Sequence, residues 1–340
     1  MRILVCSTQV PFARGGSERL TESLCLALQR AGHAAEAVAL PFRWTPRPHI
    51  LRGALAWRLL DLSEVDMVIA TKFPSYAVQH PRKVVWLVHQ HRQAYDWYGT
   101  PLSDWGAQPA DDLARERLLQ LDRRVLGEAE RLCAISRNVA QRLRRFNGLQ
   151  ATTLYPPSHL AALLQPEPVG DYVLSPSRLD AAKRIDLLLL ALARTPGSLR
   201  AIITGTGPER ERLAGLARQL GLGERVHFAG FVDDAALAAL YAGCRGVFYA
   251  PVDEDYGFAT VEAFAASKPV ITATDSGGVL EFVEHGISGL IAAPHAEAIA
   301  EALTALTPER AVALGTGNAA RVAGITWARV LAGLGVEGVG

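Results

Sequence analysis

Short apolar runs alternate with longer amphipathic stretches along the whole of this chain. Runs rich in Val, Ile, Leu and Ala, with no polar alternation, predict strands covered on both faces, whereas 3.6-residue periodicity predicts the intervening helices. In the first half the strand-like runs are Arg2 to Cys6, Ala35 to Leu40, Asp66 to Ala70, Lys83 to Val88, Arg131 to Ile135 and Ala151 to Leu154. The proline-rich stretch Tyr155 to Pro168 interrupts the alternation. It resumes with Asp171 to Leu174, Leu199 to Thr204, Arg225 to Phe228, Gly246 to Ala250, Pro269 to Thr272 and Gly289 to Ala292. Strand and helix in strict alternation predict an α/β chain with two Rossmann-like, doubly wound parallel-sheet domains facing across a cleft. Their boundaries are expected at 1–160 and 161–322, with a last helix in 323–340.

At 340 residues and 49% hydrophobic composition the chain has enough apolar surface for two cores. The net charge of +1 hides an asymmetry: residues 1–165 carry 21 Lys+Arg against 14 Asp+Glu (+7), and the remainder 14 against 20 (−6). A basic first half suits an anionic partner or a membrane surface, although scattered arginines are more often ordinary solvated charge; nothing in its pattern points to nucleic acid. The scattered Cys6, Cys25, Cys133 and Cys244 read as buried hydrophobes in a reducing compartment. The apolar start Ile3-Leu4-Val5 is too short for a signal peptide, and no run reaches the length of a spanning helix. A cytoplasmic location, at most against the inner face of the membrane, is the expectation.

Chemistry is densest in Asp253-Glu254-Asp255-Tyr256-Gly257-Phe258-Ala259-Thr260-Val261-Glu262. Pro251 ends a strand and a helix begins near Gly257, so Glu254 falls in the loop and Glu262 inside the helix, on the face shared by Phe258 and Ala265. A carboxylate in an apolar stripe needs a partner. The amides of Phe258, Ala259 and Thr260, at a helix N-terminus, are suited to an anion. A ligand with hydroxyls for both glutamates and a phosphate for the amides meets all these needs. Other strand ends offer more: Gly15-Gly16 before a helix, as a phosphate approach or a plain turn; Arg178 and Lys183 in one loop, as a diphosphate pair or surface charge; Gly205-Thr206-Gly207-Pro208, as a tight turn beside the ligand.

The ordered set of Ser177-Arg178-Leu179 with Lys183, Gly230-Phe231-Val232, the glutamate pair around Tyr256-Gly257-Phe258, Glu262 through Val270, and Ser276-Gly277-Gly278 resembles glycosyltransferase family 4, retaining enzymes of the two-domain GT-B fold. The resemblance spans nearly the whole chain. It implies that Glu262 holds the donor ribose and that Glu254, with the amides at Gly257 and Phe258, holds the transferred sugar. By the same resemblance Ala259 and Thr260 face the diphosphate, Arg178 and Lys183 clamp the leaving group, and Val232 lies against the nucleotide base. His89, in Trp86-Leu87-Val88-His89-Gln90-His91-Arg92, is implied to touch the transferred sugar, His91 being structural, and Trp327 to begin a helix returning toward the first domain.

His89-x-His91 and Asp253-x-Asp255 also fit metal readings; lacking a third ligand for the first, and with Arg178 and Lys183 supplying charge beside the second, no metal and no other cofactor are expected. The run from His89 to Tyr95 looks like the bacterial surface-polysaccharide mannosyltransferases that use GDP-mannose. The implied donor is a nucleoside-diphosphate sugar. The implied acceptor is a saccharide or a polyprenyl-diphosphate-linked glycan, reached by peripheral membrane contact through Arg43, Arg47, Arg52 and Arg58. The aromatic segment Tyr95 to Trp105 serves either a sugar, a lipid headgroup or the core. A nucleotide-sugar epimerase, a phosphorylase of the same architecture and a non-catalytic nucleotide-binding scaffold are the competing readings.

Overall fold

All twelve apolar runs form strands. The computed structural model describes residues 1–10, 15–45, 47–106 and 108–336. In it β1 (Arg2–Gln9), β2 (Ala34–Pro41), β3 (Met67–Lys72), β4 (Lys83–His89), β5 (Arg131–Ala134) and β6 (Thr152–Thr153) build one parallel sheet in the order β2-β1-β3-β4-β5-β6. A second parallel sheet runs β12-β11-β10-β7-β8-β9, from β7 (Tyr172–Pro176), β8 (Arg200–Thr204), β9 (Val226–Gly230), β10 (Gly246–Phe248), β11 (Val270–Ala273) and β12 (Gly289–Ala292). The chain divides into two units, Met1–Pro157 with Ile325–Gly340, and Ser158–Gly324. The central strands lack alternation because both faces are covered: every residue of β3 and of β11 is buried.

The strand orders decide where a ligand can sit. In the first unit the chain steps from β1 out to β2 and then returns to lay β3 on the other side of β1. In the second it steps outward from β7 through β8 to β9, then returns to lay β10 on the other side of β7. At such a reversal the loops leaving the two neighbouring strands diverge, and a crevice opens at the carboxyl ends. The second unit closes its core where the helices Ile185–Arg194 and Ala296–Ala305 bury Leu188, Leu192, Ile299 and Leu303. Each such side chain contributes about 1.5–3 kcal/mol by leaving water.

The helix Trp327–Gly333 packs in the first unit. Trp327 meets the buried Trp86 ring edge-on at 6.1 Å, and Trp86 Nε1 donates to the Leu154 carbonyl at 3.0 Å. Gly333 lies so close to Leu154 that a Cβ would stand 2.4 Å from its Cδ2.

Asp122 is among the polar groups buried deepest in this unit. Asp122, on the helix Pro109–Gly127, is fully buried and accepts from the Tyr95 hydroxyl at 2.6 Å. Burial pushes its carboxyl up to about 7, against the opposite pull of the Tyr95 and Tyr76 hydroxyls. The folded chain therefore keeps this proton where the unfolded chain, titrating near about 3.9, has lost it. With the folded pKa raised, stability is lost as pH climbs from about 4 to about 7 and falls no further above that. Asp122→Asn removes the titration. Its stability relative to the parent should rise across that window by up to about 4 kcal/mol, read by denaturant unfolding at several pH values; a difference independent of pH would refute the assignment.

Candidate functional site

Beside β7 and β10 the second unit brings two loops together through a partly buried ion pair. Lys183 closes the 3-10 turn Ala181–Lys183 that follows β7, and Glu254 lies in the loop that follows β10. The Lys183 ammonium bonds the Glu254 carboxylate and reaches the Tyr249 hydroxyl at 3.3 Å. Burial works against its charge, but Glu254 and Tyr249 outweigh that cost and hold the ammonium above the usual lysine range. Burial and then Glu254 push the Tyr249 phenol up in turn.

Arg184, to which the sequence assigns no role, staples the same loops. Its guanidinium donates to the carbonyls of Ala250 (2.7 Å) and Pro251 (2.9 Å) and forks onto Asp275 at 2.7 and 2.9 Å. Its own backbone sits in the left-handed region, φ 51°. No spacing rule distinguishes it from any other surface arginine; only the fold supplies its carbonyl partners.

Glycines set the loops by close approach. A Cβ on Gly205 would lie 2.1 Å from the Ser177 carbonyl oxygen, and one on Gly207 2.2 Å from that of Leu179. The Leu179 amide completes the seat by donating to Thr206 O at 3.0 Å. The Gly205-Thr206-Gly207 turn is thus the floor on which the Ser177–Asp180 segment rests. Arg178 is exposed on that segment, while Ser177 Oγ and Asp180 Oδ1 are buried without a hydrogen-bond partner among the described residues. Burial raises the Asp180 carboxyl despite the nearby Lys183 and Arg178.

On the other side, the 274–278 segment threads the acidic loop. Asp253 N donates to Asp275 O, Glu254 N to Ser276 O, and Gly278 N to Glu254 O at 2.7 Å. A side chain at Gly278 would meet Asp255 O at 2.6 Å. This close approach accounts for Gly278, and a φ of 59° for Gly277.

The helix Phe258–Ala265 starts from Gly257, whose φ of 90° suits only glycine without strain. The first two amides, of Phe258 and Ala259, have no acceptor within a helix. Thr260 differs from the sequence expectation: its amide donates to Gly257 O at 2.9 Å and is not open to an anion, although its hydroxyl is buried with no partner among the described residues. Glu262 also departs in part. It is buried as foreseen, but protein groups serve it: Ser158 Oγ donates to Oε1 and Tyr241 OH to Oε2, each at 2.7 Å. Each oxygen keeps a second lone pair for a ligand. Val232 is half-buried just past the carboxyl end of β9, next to the exposed Phe231.

In the first unit His89 is the last residue of β4, with Nδ1 2.8 Å from the Gln90 carbonyl oxygen. His91 packs against Phe42, Phe73 and Trp105, and burial followed by His89 pushes it down to about 4, so it is a neutral structural ring. Gly15 corrects another expectation: its amide donates to Glu18 Oε2 at 2.8 Å, capping the helix Gly16–Arg30 from within rather than facing a phosphate. Gly16 begins that helix. Glu18 in turn pairs with Lys72 at 2.6 Å, at the end of β3, a charge pair that the sequence pattern did not reveal. The aromatic segment serves largely as packing, since Tyr95 and Trp105 are buried and Trp97 stacks on Arg92 at 4.1 Å. A concavity of about 500 Å³ beside Leu62, Val65, His80 and Arg82 opens at the amino ends of β3 and β4, away from these residues. Among the described residues no three His, Cys, Asp or Glu side chains gather as a metal site.

Residues 166–321 match the family described as Glycosyl transferases group 1. A D-inositol 3-phosphate glycosyltransferase of Nocardia farcinica is 30% identical over 243 residues, 63% of this chain and 53% of the relative. A GDP-mannose-dependent alpha-(1-6)-phosphatidylinositol monomannoside mannosyltransferase of Mycobacterium tuberculosis is 36% identical over 158 residues, 42% of this chain and 40% of the relative. The chain thus spans about half the length, or less, of these relatives. Sucrose-phosphate synthase from Thermosynechococcus elongatus superposes with a TM-score of 0.79 at 21% identity, covering 98% of this chain and 97% of that one. The chain has the GT-B fold, and its residues 166–321 resemble the glycosyl transferases of group 1.

The Lys183–Glu254 pair has a direct energetic consequence, both side chains being 19% exposed. Glu254→Gln and Lys183→Met should each destabilise the fold by about 1–3 kcal/mol, and the double variant by less than their sum. Additive losses in denaturant unfolding would mean that the pair is not coupled.

Proposed function

We infer, from a chain whose residues 166–321 belong to the glycosyl transferases group 1 family, that it moves a hexose from a nucleoside-diphosphate sugar to a saccharide acceptor with retention of configuration. The observation that carries this reading is the Lys183–Glu254 pair, set at the strand reversal beside Arg178 and near the start of the Phe258–Ala265 helix. Lysine has three hydrogens, and Glu254 and Tyr249 take two. The third serves a diphosphate oxygen. As the glycosidic bond breaks, negative charge grows on that diphosphate, and Lys183 with Arg178 stabilises it where it develops. Drawing Lys183 toward the phosphate loosens its hold on Glu254, whose carboxylate then accepts from sugar hydroxyls. The amides of Phe258 and Ala259 add positive dipole ends on the same side, with Gly257 alongside. Glu262, held in place by Ser158 and Tyr241, offers its remaining lone pairs to the ribose, and Val232 lies near the base.

The route to retention in this reading is same-face attack, a leaving phosphate oxygen taking the acceptor proton. His89 is the residue of the first unit assigned to the transferred sugar, with Gly16 as a phosphate-approach position. No metal takes part, since Arg178 and Lys183 supply the charge. Mannose from GDP-mannose is the donor we favour, on the strength of the mycobacterial relative's name. Thermal shift across a panel of nucleotide sugars should single out one donor, and turnover should release free nucleoside diphosphate and persist after exhaustive chelation. Arg178→Ala should lower kcat by about 100- to 1000-fold. No stabilisation by any nucleotide or nucleotide sugar, or an inverted anomer by NMR, would refute the reading.

The acceptor we assign is a bacterial polysaccharide or glycolipid intermediate, including a polyprenyl-diphosphate-linked glycan, met at the inner membrane face. No helix among the described residues is long and apolar enough to cross a membrane. Peripheral contact is supported by the helix Pro48–Arg58, where Leu51, Leu55 and the adjoining Leu59 are exposed at four-residue spacing beside Arg52, with Arg43 exposed nearby. Two of the four arginines expected there are engaged within the protein, Arg47 with Asp111 and Arg58 with Glu128. Leu55→Asp should abolish cosedimentation with anionic vesicles while leaving donor binding intact; cosedimentation unchanged by the substitution would exclude this helix.

A further inference from the structure

The carboxyl end of β4 is tied to the interior of the first unit by hydrogen bonds that meet at Gln90, its backbone carbonyl facing His89 and its side chain facing inward. His89 Nδ1 lies 2.8 Å from the Gln90 carbonyl oxygen. A carbonyl can only accept, so Nδ1 carries the hydrogen of this contact. The Gln90 side chain, wholly buried, donates to Asn147 Oδ1 at 3.2 Å. Asn147 Nδ2 donates to the Tyr95 hydroxyl at 3.1 Å and also faces the Leu119 carbonyl at 3.5 Å, which fixes the sense of that amide. Tyr95 then donates to Asp122 Oδ2 at 2.6 Å. Gln90 follows β4, Tyr95 follows the 3-10 turn Arg92–Ala94, Asp122 lies on the Pro109–Gly127 helix, and Asn147 ends the helix Arg137–Asn147.

Four buried polar side chains from four separate places in the chain are a costly way to fill a core. Asp122 Oδ1 and Gln90 Oε1 are even left without a hydrogen-bond partner among the described residues. Apolar side chains of similar size would pack there at lower cost, whereas a connected polar network specifies one arrangement. We propose that Asp122, Tyr95, Asn147 and Gln90 are positioning residues that hold the Gln90 peptide and, through its carbonyl, fix the tautomer and orientation of His89. This rests on the assignment of His89 to the transferred sugar.

The test pairs a spectroscopic readout with kinetics. Asn147→Ser and Tyr95→Phe each cut the chain, whereas Tyr76→Phe removes a buried hydroxyl beside Asp122 that stands outside the links leading from Asp122 to Gln90. In the full-length protein, side-chain 15N NMR should show His89 as the single Nδ1–H tautomer. Asn147→Ser should turn it into a mixture and lower kcat between about 10- and 100-fold, with the donor KM within about twofold. Tyr76→Phe should do neither. Retention of the Nδ1–H tautomer in both chain-cutting variants would overturn the proposal, and if Tyr95→Phe does not fold, Asn147→Ser alone decides. Absence of transferase activity in the parent protein would sink the reading of His89's role, while the tautomer measurement would still decide whether the chain positions it.

Discussion

An ammonium drawn largely out of water needs a carboxylate, and in the second unit that need is met across the point where the sheet reverses its strand order. Lys183 belongs to the loop after β7 and Glu254 to the loop after β10. These loops are neighbours only because the chain returns from β9 to lay β10 beside β7. Given the pair, the rest of the site follows as support. Arg184 ties the Ala250 and Pro251 carbonyls to Asp275, the 274–278 segment bonds the backbone of the acidic loop, and Gly205, Gly207 and Gly278 allow backbones to meet at distances no Cβ would permit. The site is stiff because charge, backbone pairing and close approach all constrain the same dozen or so residues.

The first unit repeats the device with other residues. Lys72, at the end of β3, pairs with Glu18 on the helix that follows β1, again at a reversal of strand order. Burial raises the Glu18 carboxyl, and Lys72 with Ser17 more than offsets it, leaving the group below the usual range. Each unit thus places one lysine–glutamate pair where its sheet opens. Beneath the end of β4 the first unit has a buried polar chain that reaches Asp122.

Much of this was legible in the chain as written. Hydrophobic patterning located all twelve strands, because a parallel strand covered on both faces must be apolar along its length. The main site segments were visible as well, since glycine pairs, a helix start after Pro251 and two glutamates around it are local features with local physical causes. His91 could be set aside in favour of His89, and its aromatic surroundings agree.

What the pattern left open were partners. Nothing near Glu262 in sequence announces Ser158 or Tyr241. Arg184, Lys72 and Asp122 look like ordinary charged residues until the fold surrounds them. Local periodicity dictates secondary structure because it depends on neighbours three or four positions away. Hydrogen bonds and ion pairs between residues 21 to 104 positions apart depend on sheet order and loop closure, and those belong to the folded chain alone.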